Sequence, residues 1–364
     1  MSNQSNNNNN NEPLDFNQIE KLIKIRNHIK NDPQKFLNVV KNENTGSTVY
    51  LVGCNHVSPE SMKNVTEILD IVKPDTVFLE LSLDKRVLLT ATNQQLAREL
   101  TKRPTIRWIN SSLNDFFLSV MNSLYWHASK MPPQQQLYFS GTEMRVAYDY
   151  AIKNQCKLVL GDRDTKTTLQ RVSNKFTWSN ILQYSILGLG MVYYLATSEP
   201  ETIRSDYHKQ IKELDEIAYN DEKLLNSIQI PCVKKVYVDE RDRYMASSIR
   251  DSPGKSIVAV VGKAHVYGIG KYINEPYEGF YLRADLENYT EPTFISKYSY
   301  PIVLGTALGT PAALSVISTK LVFRKAPKPL LFGIGCGVFV GQAIGIDYLI
   351  KRVQDKLEKV EINN

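Results

Sequence analysis

The 364-residue chain has few cysteines and lacks the marks of a secreted or nucleic-acid-binding protein. Its four cysteines form no C-x-x-C pair, which excludes a disulfide-dense scaffold and a zinc ribbon. No basic segment followed by an apolar core opens the chain, so we expect no secretory signal. The net charge of +6 is small and the basic residues are scattered, so we expect no nucleic-acid partner. A Walker A loop, a dinucleotide fingerprint and a Gly-x-Ser-x-Gly elbow are also missing.

Long uncharged runs occur near the C-terminus, although the mean hydropathy of −0.30 conceals them. Residues 298–319 and 329–346 carry no charged side chain, and a short basic loop joins them. This pattern predicts a transmembrane hairpin over residues 298–350, followed by a charged tail over 351–364. In the second run a glycine recurs at every fourth position, which allows close helix packing in lipid and self-association into a homo-oligomer. A buried helical pair in a soluble core is the alternative interpretation.

The remainder of the chain is predicted to form one α/β domain with additions. Residues 1–13, rich in asparagine, are expected to be disordered, and 14–45 to form an N-terminal helical segment. The domain itself, over 46–290, contains a helical insertion at about 172–230. Within that insertion, 176–198 is long enough to span a bilayer, but its polar side chains favour a buried or interfacial helix.

Short apolar runs in the domain alternate with helical patterns. A Ser-Pro pair at Ser58 and Pro59 marks the start of one helix, which extends to Val72. This alternation predicts a largely parallel, mixed sheet with helices on both faces. Five runs are predicted strands: Thr48–Val52, Thr76–Leu81, Lys157–Leu160, Val233–Val238 and Ser256–Val261.

Two of these strands end in the same pattern, Gly-x-x-His. His56 ends the first motif, after the strand at 48–52, and His265 ends the second, after the strand at 256–261. Glu80 ends another apolar run, and the charged stretches 162–164 and 239–243 follow two more. Because ligands bind outside the carboxyl ends of parallel strands, these side chains are expected at one edge of the sheet.

Histidines and carboxylates together suit a divalent metal such as Zn, Mn or Co, which would keep one water as a nucleophile. Glu80 or Glu143 is the candidate general base if it is not a metal ligand. Arg163 and Arg243 are candidates for binding a substrate carboxylate or stabilising developing negative charge. The alternative is a structural ion network that closes the top of the sheet, and for these arginines both interpretations stay open.

Six blocks of the sequence follow one another in this order: Val49–Ser58, Val72–Leu81, Gly141–Met144, Gly161–Asp164, Val238–Asp242 and Val260–Ile269. In these blocks the sequence resembles the TraB domain proteins, which are similar to bacterial pheromone-shutdown proteins and more distantly to the Tiki metalloproteases. The resemblance implies that His56, His265 and Glu80 form the metal centre, with Glu143 as a further candidate. It also implies a mitochondrial outer-membrane location for eukaryotic members. The first motif departs from the family, which usually has Thr-Ala where this chain has Cys-Asn.

These observations predict a membrane-anchored TraB-type protein with a metal-dependent hydrolase or peptidase site that acts on a peptide or protein substrate. Its expected location is the mitochondrial outer membrane, with the α/β domain facing the cytosol. In this prediction Arg163 and Arg243 bind the substrate. The alternative is a non-catalytic membrane adaptor or tether, whose α/β domain binds a protein partner.

Overall fold

The computed structural model describes residues 16–29, 32–56, 58–91, 141–181, 197–228, 230–275 and 279–288, with scattered short stretches between 183 and 334. The chain divides into two compact units. The first contains residues 1–93, 138–168 and 211–289, and the second contains 94–137, 169–210 and 290–364. The sheet lies in the first unit.

A five-stranded mixed sheet forms the centre of the first unit, in the order β1-β2-β5-β3-β4. Only β1 runs antiparallel, against β2, and the remaining neighbours of this sheet are parallel. Strand β5 is central: its Gly262 pairs with Cys54 of β2, and its Val260 pairs with Leu79 of β3. The strands are β1 Leu37–Lys41, β2 Thr48–Cys54, β3 Thr76–Leu79, β4 Lys157–Leu160 and β5 Ser256–Gly262.

Helices connect these strands and extend beyond them. Short 3₁₀ turns lie at Pro33–Lys35 and Leu83–Lys85, and a π-helical turn lies at Lys235–Asp239. The α-helices are α1 Phe16–His28, α2 Pro59–Val72, α3 Val87–Thr90, α4 Thr142–Lys153, α5 Thr165–Asn174, α6 Pro200–Glu216, α7 Glu222–Leu225, α8 Pro231–Lys234, α9 Glu240–Arg250, α10 Lys263–Tyr272 and α11 Gly279–Glu287.

Alternating side chains along the strands build an apolar cluster on each face of the sheet. Tyr50 and Val52 contribute to a cluster with α1, α2 and α4, whereas Val49 and Leu51 contribute to a cluster with α9 and α10. This is the period-two alternation of a strand buried on both faces. The predicted α/β class and the strands at 48–52, 157–160 and 256–261 are therefore confirmed, and the strand predicted at 76–81 is present but ends at Leu79.

Two predicted elements are wrong. The composition of Val233–Val238, with its valines and tyrosine, favours a strand, but the segment lies in the continuous helical stretch from Pro231 to Arg250. Burial follows the helical spacing, since Val236 and Glu240 are buried one turn apart. Leu37–Lys41, predicted within a helical segment, is a strand because it pairs with β2 along its whole length.

Among the residues that the structure describes, no helix is both long and apolar enough to cross a bilayer. The predicted hairpin at 298–350 lies almost entirely outside these residues, as does most of 176–198. The Asn-rich tail at 1–13 and the charged tail at 351–364 lie fully outside them.

Candidate active site

The two Gly-x-x-His motifs leave the sheet side by side. Because Cys54 pairs with Gly262, His56 follows β2 at the same edge where His265 enters the first turn of α10. Glu80 directly follows β3, on the other side of β5. The edge gathers seven side chains that we call the histidine cluster: His56, Glu80, Glu143, Asp162, Arg241, Asp242 and His265.

His56 is held by a buried carboxylate. Its Nδ1 lies 2.6 Å from Oε1 of Glu143, which stands in the first turn of α4. The Gly141 N–H donates to the carbonyl of His56, so the start of α4 is also tied to the histidine through the backbone. Burial lowers the pKa of His56, but the hydrogen bond and charge of Glu143, together with Glu80, outweigh it and raise the pKa to about 9.

His265 has the same arrangement with a different carboxylate. Its Nδ1 lies 2.5 Å from Oδ1 of Asp242, in the first turn of α9. Asp242 packs directly against Gly268 of α10, where a Cβ atom would lie 1.9 Å from its Oδ2. Only a glycine at this position leaves room for the carboxylate that holds His265.

Glu80 lies between the two imidazoles. Its Oε2 accepts the N–H of Gly262, and its Oε1 lies 3.4 Å from Nε2 of His265. A Cβ on Gly262 would lie 3.1 Å from Nε2 of His56 and 3.2 Å from Oε2 of Glu80. Burial would raise the pKa of Glu80, but His265, Arg241 and His56 outweigh it and hold the pKa well below its usual range.

Arg241 uses all five guanidinium N–H groups within the protein. Nε and Nη2 form a bidentate pair with Asp162, at 3.0 and 2.8 Å, and Nη2 also donates to Oε1 of Glu80. Nη1 donates to the carbonyl of Tyr237 at 3.3 Å and to Nε2 of His265 at 3.1 Å. When Nε2 of His265 accepts this bond, the ring proton is on Nδ1 and is donated to Asp242.

Of the side chains of the histidine cluster, that of His56 is the most exposed to solvent, ahead of Arg241 at 15% and Asp162 at 12%. The side chain of His56 is 37% exposed, whereas those of Glu80 and His265 are only 6% and 8% exposed.

The last turn of α6 connects the two motifs from outside the cluster. Asp215 accepts hydrogen bonds from Asn55 at 3.2 Å and from Ser58 at 2.6 Å, on either side of His56. Lys263, which precedes His265 by two residues, donates its ammonium to three carbonyls in this turn, those of Leu214, Asp215 and Ile217. The ammonium also faces the negative end of the helix dipole, which is the favourable end for a cation.

Two predicted site residues lie elsewhere. Arg163 is almost fully buried and donates to Oε2 of Glu240 at 2.9 Å, and to Thr168 and the carbonyls of Val236 and Leu286. Arg243 is exposed and lies over the ring of Tyr272, with its Cζ 4.6 Å from the centroid. Substrate binding by either arginine stays a prediction. The guanidinium contacts named here go to residues outside the histidine cluster, whereas the backbone N–H of Arg163 donates to Oδ1 of Asp162 at 2.8 Å.

The sequence pattern does not predict the roles of Arg241 and Asp242, although it includes both in the charged stretch at 239–243. A helix that starts there directs neighbouring side chains about 100° apart. Arg241 and Asp242 face the cluster while Arg243 faces solvent, and only the helical interpretation allows this difference. The burial of Val236 and Glu240 one turn apart marks the helix, but it is a property of the structure and not a signal in the sequence.

The imidazole nitrogens and carboxylate oxygens of the histidine cluster are chemically suited to bind a divalent metal. Both imidazoles have Nδ1 anchored by a carboxylate, which is the usual arrangement of metal-ligating histidines. With neutral imidazoles and ionised acids, one guanidinium leaves three of the four carboxylate charges uncompensated within the cluster. As they stand, no three His, Cys, Asp or Glu side chains of the described part of the chain are close enough to share one ion.

Comparison with known proteins gives the chain its family. A protein of Methanocaldococcus jannaschii is 30% identical over 231 residues, which are 62% of this chain and 53% of that protein. This match thus spans about half the length of the archaeal protein. The TraB domain-containing proteins of Mus musculus and Homo sapiens are 27% and 26% identical over 274 residues, covering 70% of this chain and 69% of each relative. The TraB/PrgY/gumN family model matches residues 38–278, well over half of the chain, and the protein therefore belongs to the TraB/PrgY/gumN family.

Proposed function

We propose that this protein is a metal-dependent hydrolase whose site is the histidine cluster. The observation that carries the proposal is the paired arrangement of the imidazoles. Each is anchored through Nδ1 to a carboxylate, and each Nε2 is directed toward the space beside Glu80 and Gly262. In this proposal His56, His265 and Glu80 hold the metal, which can be Zn, Mn or Co.

A bound metal would supply a water of lowered pKa and polarise the carbonyl of the scissile bond. Glu143 and Asp242 keep the ring protons on Nδ1, so both Nε2 lone pairs stay directed inward. Glu143 is the candidate general base if Glu80 is a ligand; in that role its carboxylate would have to accept the proton of the water directly, because both nitrogens of His56 are then occupied. Substrate, a peptide or protein by resemblance to the family, would enter on the His56 side.

Metal content and histidine substitutions test this function together. We expect the full-length protein to carry a stoichiometric divalent metal by native mass spectrometry and elemental analysis. His56→Ala and His265→Ala should each lose that metal while the fold, measured by circular dichroism, is retained. His208→Ala is the matched control, because His208 is a histidine on α6, outside the cluster.

Two results would oppose the hydrolase. Absence of stoichiometric metal in the wild-type protein would refute it directly. Retention of cellular function in the His56→Ala, His265→Ala double variant would instead favour an adaptor whose α/β domain binds a protein partner.

We further propose that the uncharged runs within 298–350 anchor the protein in the mitochondrial outer membrane, with the α/β domain in the cytosol. Their length supports the anchor and the family resemblance supports the location. In mitochondria from cells that express the chain, the protein should resist alkaline extraction, and external protease should digest its α/β domain. Release by alkali, or protection of the domain in intact mitochondria, would contradict the anchor or the orientation respectively.

A further inference from the structure

Arg241 contacts the atoms that a metal would need. Its guanidinium donates to Oε1 of Glu80 and to Nε2 of His265, two of the three side chains proposed above as ligands. We propose that Arg241 is a resident cation which competes with a divalent metal for Glu80 and His265, and that it withdraws onto Asp162 when the metal binds. This inference rests on the proposed function of the cluster.

The competition follows from the electron pairs involved. A guanidinium has no free lone pair and stays charged, so it cannot itself be a metal ligand. The Nε2 atom of a neutral imidazole has a single lone pair, which is given either to Arg241 or to an ion. Glu80 has more lone pairs, but its side chain is 6% exposed and a second cation at the same oxygen would be repelled at close range.

The carboxylates of the cluster need a compensating cation both when a metal is bound and when none is. Several buried carboxylates repel one another, and an uncompensated buried charge is strongly destabilising. Arg241 partly compensates Glu80 and Asp162 when no metal is bound. A divalent metal would replace it at Glu80 and compensate more charge than it does.

Asp162 provides the position to which the arginine withdraws. The bidentate pair uses Nε and one N–H of Nη2, whereas the bond to Glu80 uses the second N–H of Nη2 and the bond to His265 uses Nη1. The bond from Nη1 to the Tyr237 carbonyl lies on the arginine's own helical stretch. Because the guanidinium is rigid, the two contacts with the metal ligands break when Arg241 and Asp162 shift together, and the bidentate pair keeps the charge of the arginine compensated during that shift.

Zn²⁺ and Mn²⁺ titrations of the full-length protein in detergent test the competition by calorimetry. Arg241→Gln should bind the metal at least about tenfold more tightly than wild type, because one charge-assisted hydrogen bond corresponds to about tenfold or more and two no longer have to be broken. Arg243→Gln is the matched control, since it removes the same charge from an exposed residue two positions further along the chain. Its metal affinity should equal that of wild type.

The outcomes separate this inference from the proposed function. If wild type binds metal and Arg241→Gln binds it equally or more weakly, the competition is wrong and the metal site stands. If neither wild type nor Arg241→Gln binds metal, the proposed function fails, and this inference fails with it.

Should Arg241→Gln not fold, Arg241→Lys takes its place, because lysine keeps the charge but lacks the planar guanidinium that contacts Asp162, Glu80 and His265 together. A tighter affinity in that variant supports the competition, and an unchanged one overturns it.

Discussion

Replacing Gly268 with alanine should separate Asp242 from His265. The new Cβ would lie 1.9 Å from Oδ2 and 2.6 Å from Cγ of Asp242, closer than any real contact allows. The obstruction concerns the whole carboxyl group, and Asp242 is buried, so its side chain cannot simply turn into solvent. The carboxylate must move away, and Nδ1 of His265 would lose its acceptor.

The magnitude combines three effects. Overpacking a well-packed interior costs about 1–3 kcal/mol. Loss of a buried hydrogen bond to a charged group costs about 1.5–3 kcal/mol, and alanine regains about 1 kcal/mol over glycine inside a helix. We expect Gly268→Ala to lose about 2–4 kcal/mol of the free energy of unfolding, as the balance of these effects.

Urea unfolding of Gly268→Ala and Gly270→Ala gives the comparison. Gly270 is on the same helix, and a Cβ there would meet first Nδ2 of Asn38, at 2.5 Å, the movable end of a side chain. Gly270→Ala should therefore stay within about 1 kcal/mol of wild type, since the helix gain offsets a small adjustment. Equal stability of the two variants, with an unchanged ¹⁵N shift at Nδ1 of His265, would refute the proposed role of Gly268.

Three further predictions concern charges in and around the site. Arg163→Met should cost about 3–5 kcal/mol in urea unfolding, because it breaks the buried ion pair of Arg163 with Glu240 by removing one partner; a loss below about 1 kcal/mol would contradict this. Arg243→Ala should change stability by less than about 1 kcal/mol, the worth of an exposed cation–π contact, and should leave the metal content unchanged. For metal-free protein, the pKa of His56 is raised from 6.5 to about 9, so the stability from its protonated pair with Glu143 is fully present below pH 6.5 and is lost as pH rises through about 9. The stability difference between wild type and His56→Gln should shrink across that window, and a difference independent of pH would contradict the pairing.

Local sequence signals are sufficient to predict the strands that position the site. The apolar runs at β2, β3, β4 and β5 end in glycine or charged residues, and those endings are enough to locate His56, Glu80 and His265 from the sequence. Parallel pairing then requires these residues to share an edge. This part of the site is predictable because each signal lies within a few residues of its strand.

The partners of the histidines are harder to predict, because they depend on packing between distant segments. Glu143 is a predicted site residue, but its bond to His56 requires the start of α4 to lie beside the β2 motif, 87 residues away in sequence. Arg241 and Asp242 are misplaced by the sequence pattern because the valines and tyrosine that precede them imitate a strand. Nothing local distinguishes Arg241, which contacts the cluster, from Arg243, which lies over an aromatic ring.

The central place of β5 has a consequence for biosynthesis. Strand β2 begins at Thr48, but the neighbour that joins it to β3 begins at Ser256, so the middle of the sheet leaves the ribosome last among its strands. At typical translation rates, β2 and β3 would wait on the order of ten seconds or more for that neighbour. Their apolar edges are open to wrong partners during this interval. The nascent chain should therefore depend on a chaperone until β5 has emerged, and His56 meets His265 only after that step.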